Sequence, residues 1–556
     1  MKRVVVFLAA LSLAAVTAMA ATPPHQKAKD KEGGDRPDAA TSSGFFKPES
    51  TTSSGSVSVE GRRIDYQAVA GTIVVHAKGW DDAAKKPEDG DDKAKPEDAN
   101  PNAEASMFYV AYFKRGAESA TRPVTFIFNG GPGSSTMWLH MGAFGPRRVV
   151  TADDTHTPPA PYRVVNNEFS LLDASDLVFI DAPGTGFSRV AGKDKEKAFY
   201  GVDPDATAFC SFVTQFLSKY GRWNSPKYLF GESYGTPRAS VMVNELERTN
   251  DVDMNGVILL SAVLSFDMGP DGPANNPGVD IPYQLALPTY AATAWYHHKI
   301  AAPELGPLLD EVEHFAMHDY ALALAQGANL SDEQRNAIAA RLHDYTGLPT
   351  AYILKADLRI AGGEFEKNLL GDEDETTGRL DTRFAGTTLD PLSKSADYDP
   401  QSAAISAAYV GAFNNYVRKD LHYGEGKVYR PTAYDVVSPH WVRTHLPPGG
   451  GGGGGRNGPP VAPPNAANVM PDLASAMKYN PDLKVFLAGG YFDLATPFFA
   501  GMYQMHHLPM PEKLQSNIEY HYYQSGHMVY AHEASLKQLH DNVAAFIRKT
   551  DHTKGE

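Results

Sequence analysis

Residues 228–238, Tyr-Leu-Phe-Gly-Glu-Ser-Tyr-Gly-Thr-Pro-Arg, constrain the fold of this chain more than any other stretch. Tyr228, Leu229 and Phe230 form a short apolar run of the kind that makes a buried strand. Gly231-Glu232-Ser233-Tyr234-Gly235 comes next, and a helix-like segment begins near Pro237. A serine between two glycines spaced in this way sits at the apex of a sharp turn. Side chains at the glycine positions would strike the neighbouring strand and helix, and the turn holds the serine in strained backbone geometry. Strand, turn and helix in that order leave Ser233 Oγ exposed with backbone N–H groups beside it. Such a turn needs a sheet to supply its strand and a layer of helices to pack on that sheet.

In a chain with 49 glycines that pentapeptide is a weak signal by itself, so the rest of the sequence has to support it. At 556 residues the chain is longer than one ordinary core requires. Its net charge of −15 leaves no basic footprint to neutralise phosphates, which excludes nucleic acid as a partner. Lys2 and Arg3, an apolar run from Val4 to Val16 and the small-x-small site Ala18-Met19-Ala20 read as a signal peptide over residues 1–20. That run is too short to span a bilayer, so the expectation is an exported protein, periplasmic or secreted, with no stable membrane anchor. A single cysteine, Cys210, excludes an internal disulfide; it falls on the apolar face of a helix pattern and reads as a buried structural thiol.

Residues 21–57 are polar and Pro/Gly-rich and read as a disordered leader. From 58 to 263 strands alternate with helices. Arg63 to Val69 and Thr72 to Val75 are two expected strands around a turn at Gly71, and Ala105 to Phe113 is a third. Val124 to Phe128 and Leu177 to Ile180 each lead into a glycine-rich turn. Phe209, Phe212, Val213, Phe216 and Leu217 recur with helical spacing, and Val257 to Leu260 is another strand. Residues 264–440 carry helical periods and few strand signals, as a large, mostly helical cap insertion would. Residues 441–466, with seven consecutive glycines and a Pro-rich run, read as a linker. Alternation resumes over 467–556, with strands at Leu483 to Ala488 and Ile518 to Tyr523 and a closing helix from about Glu533 to Arg548. The fold class expected is α/β, with a mainly parallel central sheet.

A serine hydroxyl needs a base to take its proton, and the base needs a third group to fix its tautomer. Asp493 and His527 each stand just beyond an expected strand end, 34 residues apart, after Ser233 in the chain. Serine, acid, histidine in that order, each after a strand, is the arrangement of the α/β-hydrolase fold. Alone, Asp493 could be a helix cap and His527 a turn residue; their joint placement makes them the acid and base. The oxyanion donors expected are the N–H of Tyr234, next to the nucleophile, and an N–H of the glycine-rich loop Asn129-Gly130-Gly131-Pro132-Gly133 after Val124 to Phe128. His314 and His318 are spaced for one helix face but lack a third ligand and read as surface residues, so no metal and no cofactor is expected.

Four blocks together, Asn129-Gly-Gly-Pro-Gly-Ser-Ser135, Asp181-Ala-Pro-Gly-Thr-Gly-Phe-Ser188, Gly231-Glu-Ser-Tyr-Gly235 and Ser525-Gly-His-Met-Val529, resemble the serine carboxypeptidase family, peptidase S10. The resemblance runs over residues 105–265 and 482–548. It implies an α/β-hydrolase core and cleavage of peptides with a free C-terminus at acidic pH. Ser233 would be nucleophile, His527 base, Asp493 its partner, Gly131 and Tyr234 the oxyanion hole, and Asn129 and Glu232 the holders of the substrate carboxylate. A carboxyl can hydrogen-bond a carboxylate only while protonated, which gives Glu232 a reason for the acidic preference. The sequence departs from the family at Ser134, where a disulfide-bonded cysteine is usual, and at Ala143, where a glutamate is common. An esterase or acyltransferase on the same triad is the alternative.

Overall fold

Fourteen strands and fourteen α-helices are seen in the computed structural model, which describes residues 44–81, 100–448 and 466–552. The expected signal peptide, most of the leader and the glycine run of the linker lie outside those residues. The described chain from Phe45 on forms one unit.

The chain opens with a hairpin. Strand β1 (Ser50–Val59) pairs antiparallel with β2 (Arg62–His76) through a turn at Glu60 and Gly61, both with positive φ. Two expectations are corrected here. The leader's last residues, 50–57, are strand: alternating small Ser and Thr side chains suit a half-exposed edge even though they lack bulk. Gly71 is not a turn but lies inside β2 opposite Ser50, where a Cβ would come within 2.5 Å of Glu49 O. It is glycine because the partner strand presses on it.

After β3 (Glu104–Lys114) come β4 (Val124–Phe128), a small pair β5 (Arg147–Val149) and β6 (Val164–Asn166), β7 (Asp176–Ile180) and β8 (Arg189–Ala191). Helices α1 (Lys195–Phe199) and α2 (Val202–Tyr220) lead to β9 (Lys227–Glu232), α3 (Gly235–Thr249) and β10 (Gly256–Leu260). The insertion contributes α4 (Ile281–Tyr296), α5 (Leu305–Phe315), α6 (Ala321–Gln326), α7 (Asp332–Thr346), α8 (Thr350–Lys355) and α9 (Gly362–Leu369). A two-stranded ribbon, β11 (Glu375–Thr377) and β12 (Ala385–Thr387), then precedes α10 (Pro400–Lys419) and α11 (Tyr434–Val437). The chain returns through α12 (Met470–Tyr479), β13 (Lys484–Gly490), α13 (Phe498–His506), β14 (Ile518–Tyr523) and α14 (Glu533–Thr550).

The main sheet runs β1-β2-β3-β7-β4-β9-β10-β13-β14, with β8 paired to β3. From β7 to β14 every neighbour is parallel; the three N-terminal strands are antiparallel. This is the α/β-hydrolase fold. The central strands are buried on both faces and read as continuous apolar runs for that reason. On one face Phe126, Phe128, Leu229 and Leu259 pack with Phe209, Phe212 and Phe216 of α2 and Met242 of α3. On the other, Ile127, Phe230, Ile258 and Phe486 pack with Leu536, Leu539, Val543 and Phe546 of α14 and with Tyr409 and Phe413 of α10. Each such side chain contributes roughly 1.5–3 kcal/mol on burial. Cys210 is buried in the first of these layers, as expected of a structural thiol.

Residues 441–448, assigned to the linker from composition, are anchored to the core at a few points, with Val442, Arg443, Thr444 and Leu446 exposed. Val442 bridges Gly201, and His445 is buried between Asp203 (2.6 Å) and Asp472 (2.8 Å). The glycine and proline run that follows hid them in sequence, and their main anchor is the buried His445, held by the buried Asp472 and the more exposed Asp203.

Candidate active site

Parallel strands deliver the turns at their C-terminal ends to one edge of the sheet. Asn129 comes after β4, Asp181 after β7, Ser233 after β9, Asp493 after β13 and His527 after β14. Ser233 has φ +59°, the left-handed conformation the sharp turn demands, and its N–H donates to Leu260 O of the adjacent strand at 3.0 Å. A Cβ on Gly231 would sit 2.1 Å from Gly235 O, so the first glycine of the turn is obligatory. Helix α3 starts at Gly235, two residues before the expected Pro237, which directs the positive end of its dipole at Ser233.

The glycine-rich loop 129–135 lies directly on this turn. A Cβ on Gly130 would fall 2.3 Å from Tyr234 N. Neither the Gly131 nor the Tyr234 N–H donates to another group among the described residues, so both are available to an incoming oxygen. Asp181 supports the loop from beneath, accepting from Thr136 N at 2.8 Å. Arg238, buried in the first turn of α3, ties it sideways: Nε donates to Asp205 (2.6 Å) and Nη1 to Asn129 O (2.7 Å). Nothing in the sequence marked Arg238 and Asp205 as partners, since they come from different helices.

His527 Nδ1 lies 2.8 Å from Asp493 Oδ2. With the carboxylate accepting, Nδ1 carries the proton and Nε2 is the free, basic nitrogen. Asp493 is fully buried and also accepts from Thr496 N (2.9 Å) and Thr496 Oγ1 (2.7 Å), which fixes its plane. It does not cap α13, whose N-cap is Pro497. Burial works against the His527 cation, but Asp493 outweighs it and the imidazole is pushed above its ordinary value. Ser233 and His527 face one cavity of about 1340 Å³; among the described residues no hydrogen bond joins Ser233 Oγ to the imidazole.

Glu232 is 3 % exposed and sits in a polar cluster. Tyr530 Oη donates to its Oε2 at 2.8 Å, and the Asn129 side chain hydrogen-bonds it as well. Burial raises the Glu232 carboxyl to about 7 against the opposing pull of His527, Tyr530 and Asn129. Asn129 is oriented by Leu139 N, which donates to its Oδ1 at 3.2 Å and leaves the amide NH₂ to face the cluster. Tyr530 was missed from sequence, where it is one aromatic residue three places after the histidine.

The cavity is walled by Trp138, Phe266, Ile405, Tyr434, Trp441 and Met528, so several elements of the insertion close over the sheet edge. Arg379 also lines it, paired with Asp271. The His314 and His318 rings stack at 4.0 Å, with His318 Nδ1 on His314 O. Among the described residues no three His, Cys, Asp or Glu side chains are grouped to hold a metal.

The family model for serine carboxypeptidases matches residues 97–268. That span holds Asn129, Gly131, Glu232, Ser233 and Tyr234; Asp493 and His527 lie outside it. The pheromone-processing carboxypeptidase KEX1 of Yarrowia lipolytica is 32% identical over 167 residues, 30% of this chain and 24% of that one. A carboxypeptidase Y homolog of Arthroderma benhamiae is 31% identical over 137 residues, 24% of this chain and 25% of that one. The chain thus spans about a quarter of the length of these curated relatives. Among solved structures, a prohormone-processing carboxypeptidase, KEX1, from Saccharomyces cerevisiae superposes with a TM-score of 0.50 at 16% identity, over 87% of this chain and 91% of that one. This likeness supports the α/β-hydrolase fold across nearly the whole chain.

Proposed function

We propose that the protein is an exported serine carboxypeptidase that releases C-terminal residues from peptides through an acyl-enzyme. The observation that carries the reading is the buried Asn129–Glu232–Tyr530 cluster beside Ser233. A hydrolase turn needs some side chain between its first glycine and its serine, but it does not need a buried carboxyl held near neutrality. In the protonated form Glu232 donates to a substrate carboxylate, and the Asn129 amide donates beside it. The substrate's last peptide bond then lies over Ser233, with its carbonyl oxygen toward the Gly131 and Tyr234 N–H groups.

His527 Nε2 takes the Ser233 proton as Oγ attacks, while Nδ1–H stays on the Asp493 carboxylate. The oxyanion is stabilised by two N–H groups already in place. Collapse expels the C-terminal amino acid, which receives the proton from His527, and a water repeats the sequence on the acyl-enzyme. The apolar walls suit extended peptide side chains, and the cavity, larger than a small-molecule site, admits several residues of a flexible C-terminus. Small peptides and accessible tails are therefore the substrates, and folded proteins are excluded by the insertion. Among the described residues no helix is long and apolar enough to cross a membrane.

The test compares hydrolysis of an N-blocked dipeptide with hydrolysis of its C-terminal amide across pH. A carboxypeptidase prefers the free acid at low pH and loses that preference as pH rises. An esterase on the same triad cleaves neither well, and failure of Ser233 to label with a fluorophosphonate removes the enzyme reading altogether.

A further inference from the structure

The acid and the base sit on separate loops, after β13 and β14, and the same short piece of the insertion binds both. Thr382 N donates to Phe492 O at 2.9 Å, and Leu494 N donates to Arg379 O at 3.1 Å, so Asp493 is bracketed on either side. His527 N donates to Leu380 O at 2.6 Å, and the preceding residue, Gly526, donates its N–H to Asp381 Oδ2 at 3.1 Å. Contact at Gly526 is close: a Cβ there would lie 2.4 Å from Asp381 Cβ, so the loop can approach only as glycine.

Asp381 is fully buried and locked in turn. Arg383 holds it with Nε on Oδ1 (3.0 Å) and Nη2 on Oδ2 (2.7 Å), and Arg383 Nη1 reaches Asp153 at 3.0 Å. Asp399, at the N-cap of α10, accepts from Leu380 N at 3.0 Å and from Gln401 N at 2.8 Å, which fixes the segment to a long helix. The core joins the two loops directly, Phe492 N donating to Ser525 O at 3.0 Å and Ser261 Oγ to His527 O at 2.8 Å, and the insertion adds bonds to both from outside the core.

We propose that residues 379–382 are the positioning element of the catalytic acid and base, with Asp381 as its decisive side chain. The insertion then assembles the site as well as roofing it. This rests on Ser233, Asp493 and His527 being the catalytic group. Removing the Asp381 carboxylate leaves Gly526 N–H without its acceptor and frees the His527 loop to move away from Asp493, with the turn that carries Ser233 unaltered.

The experiment uses the full chain in three variants. Asp381→Ala deletes the acceptor, Asp381→Asn keeps an oxygen for Gly526 but loses the charge facing Arg383, and Arg122→Ala breaks an ion pair with Asp176 (2.7 Å), away from this segment, as a stability control. Two quantities are read: the rate of fluorophosphonate labelling at Ser233 per folded molecule, and the low-field proton resonance of His527 Nδ1–H on Asp493. The expected result for Asp381→Ala is a labelling rate at least tenfold lower, a kcat reduced in parallel with KM unchanged, and loss or broadening of the low-field resonance. Asp381→Asn falls between it and wild type, and Arg122→Ala lowers Tm without changing either readout. Wild-type labelling and an intact resonance in folded Asp381→Ala would overturn the inference. Should that variant not fold, an Asp381→Asn protein with unaltered labelling and resonance overturns it. If wild type itself does not label, the carboxypeptidase reading fails while the resonance still decides the positioning role.

Discussion

Substituting Glu232 by glutamine isolates the chemistry that distinguishes a carboxypeptidase from any other hydrolase on this fold. The carboxyl stands at about 7. From the titration curve it is almost wholly protonated at pH 5 and roughly 9% protonated at pH 8. An ionised Glu232 about 4 Å from a substrate carboxylate meets a repulsion of about 4 kcal/mol at an effective dielectric near 20, more than a hundredfold in binding. Productive binding of the free acid therefore tracks the protonated fraction. The amide of the same dipeptide carries no charge and is indifferent to it. Both substrates need the same neutral His527, so the ratio of their kcat/KM values cancels the base. That ratio is expected to fall about tenfold between pH 5 and pH 8. Glutamine accepts from Tyr530 and donates toward the substrate at every pH, so in Glu232→Gln the ratio stays level and at pH 8 exceeds that of wild type. Stopped assays of both substrates at constant ionic strength read it directly. A ratio independent of pH in wild type, or one that still falls in the variant, would refute the assignment of Glu232.

Ser233→Ala should retain the fold and lose hydrolysis, and Asp493→Asn should lose about 10³–10⁴ in kcat through the wrong imidazole tautomer, checked by steady-state kinetics with Tm as control. Gly130→Ala places a Cβ 2.3 Å from Tyr234 N, so the oxyanion loop must retreat; kcat should drop about 10²-fold or more with KM little changed. His445 opposes its burial through Asp203 and Asp472 and is raised to about 9. A raised value contributes stability fully below the unfolded value of about 6.5, lost as pH climbs through 9, here about 2 kcal/mol after allowing for the exposed Asp203. Denaturant unfolding of wild type and His445→Ala should thus diverge more at pH 6 than at pH 10, and an equal gap at both would exclude the ion pair.

The Ser233 turn and the glycine-rich loop at 129–135 were legible because each is local. A strand, a glycine-flanked serine and a helix determine their own geometry, and the glycines at 130 and 231 record in sequence the contacts they permit. Asp493 and His527, proposed as acid and base, were legible as a pair from their joint placement after the last two strands and from the family resemblance, since parallel strands send successive loops to one edge. What stayed hidden is non-local. Arg238 with Asp205, Tyr530 with Glu232, and Asp381 with Gly526 are pairs from different elements, 33, 298 and 145 residues apart, and no periodicity connects them. Gly71 misled for a related reason: a glycine required by a neighbouring strand looks, in one dimension, like one required by a turn.

The departures at Ser134 and Ala143 show how the site does without features usual in the family it resembles. A disulfide at residue 134 would tie down the oxyanion loop; here Ser134 Oγ accepts from Trp138 Nε1 at 2.8 Å, and Ala433 N donates to Gly133 O (2.7 Å) and Ser135 N to Pro431 O (3.0 Å). Three hydrogen bonds, two of them to the insertion, hold what one covalent bond would. Ala143 is buried and brings no carboxylate to Glu232; Tyr530 donates to it, and Tyr409 packs behind Gly142. The Tyr530 hydroxyl orients the carboxyl without adding charge, and burial, ahead of the nearby Asp493, is what raises Glu232. The insertion thus recurs at each half of the proposed site, bonding the glycine-rich loop through residues 431–433 and the loops of Asp493 and His527 through residues 379–382.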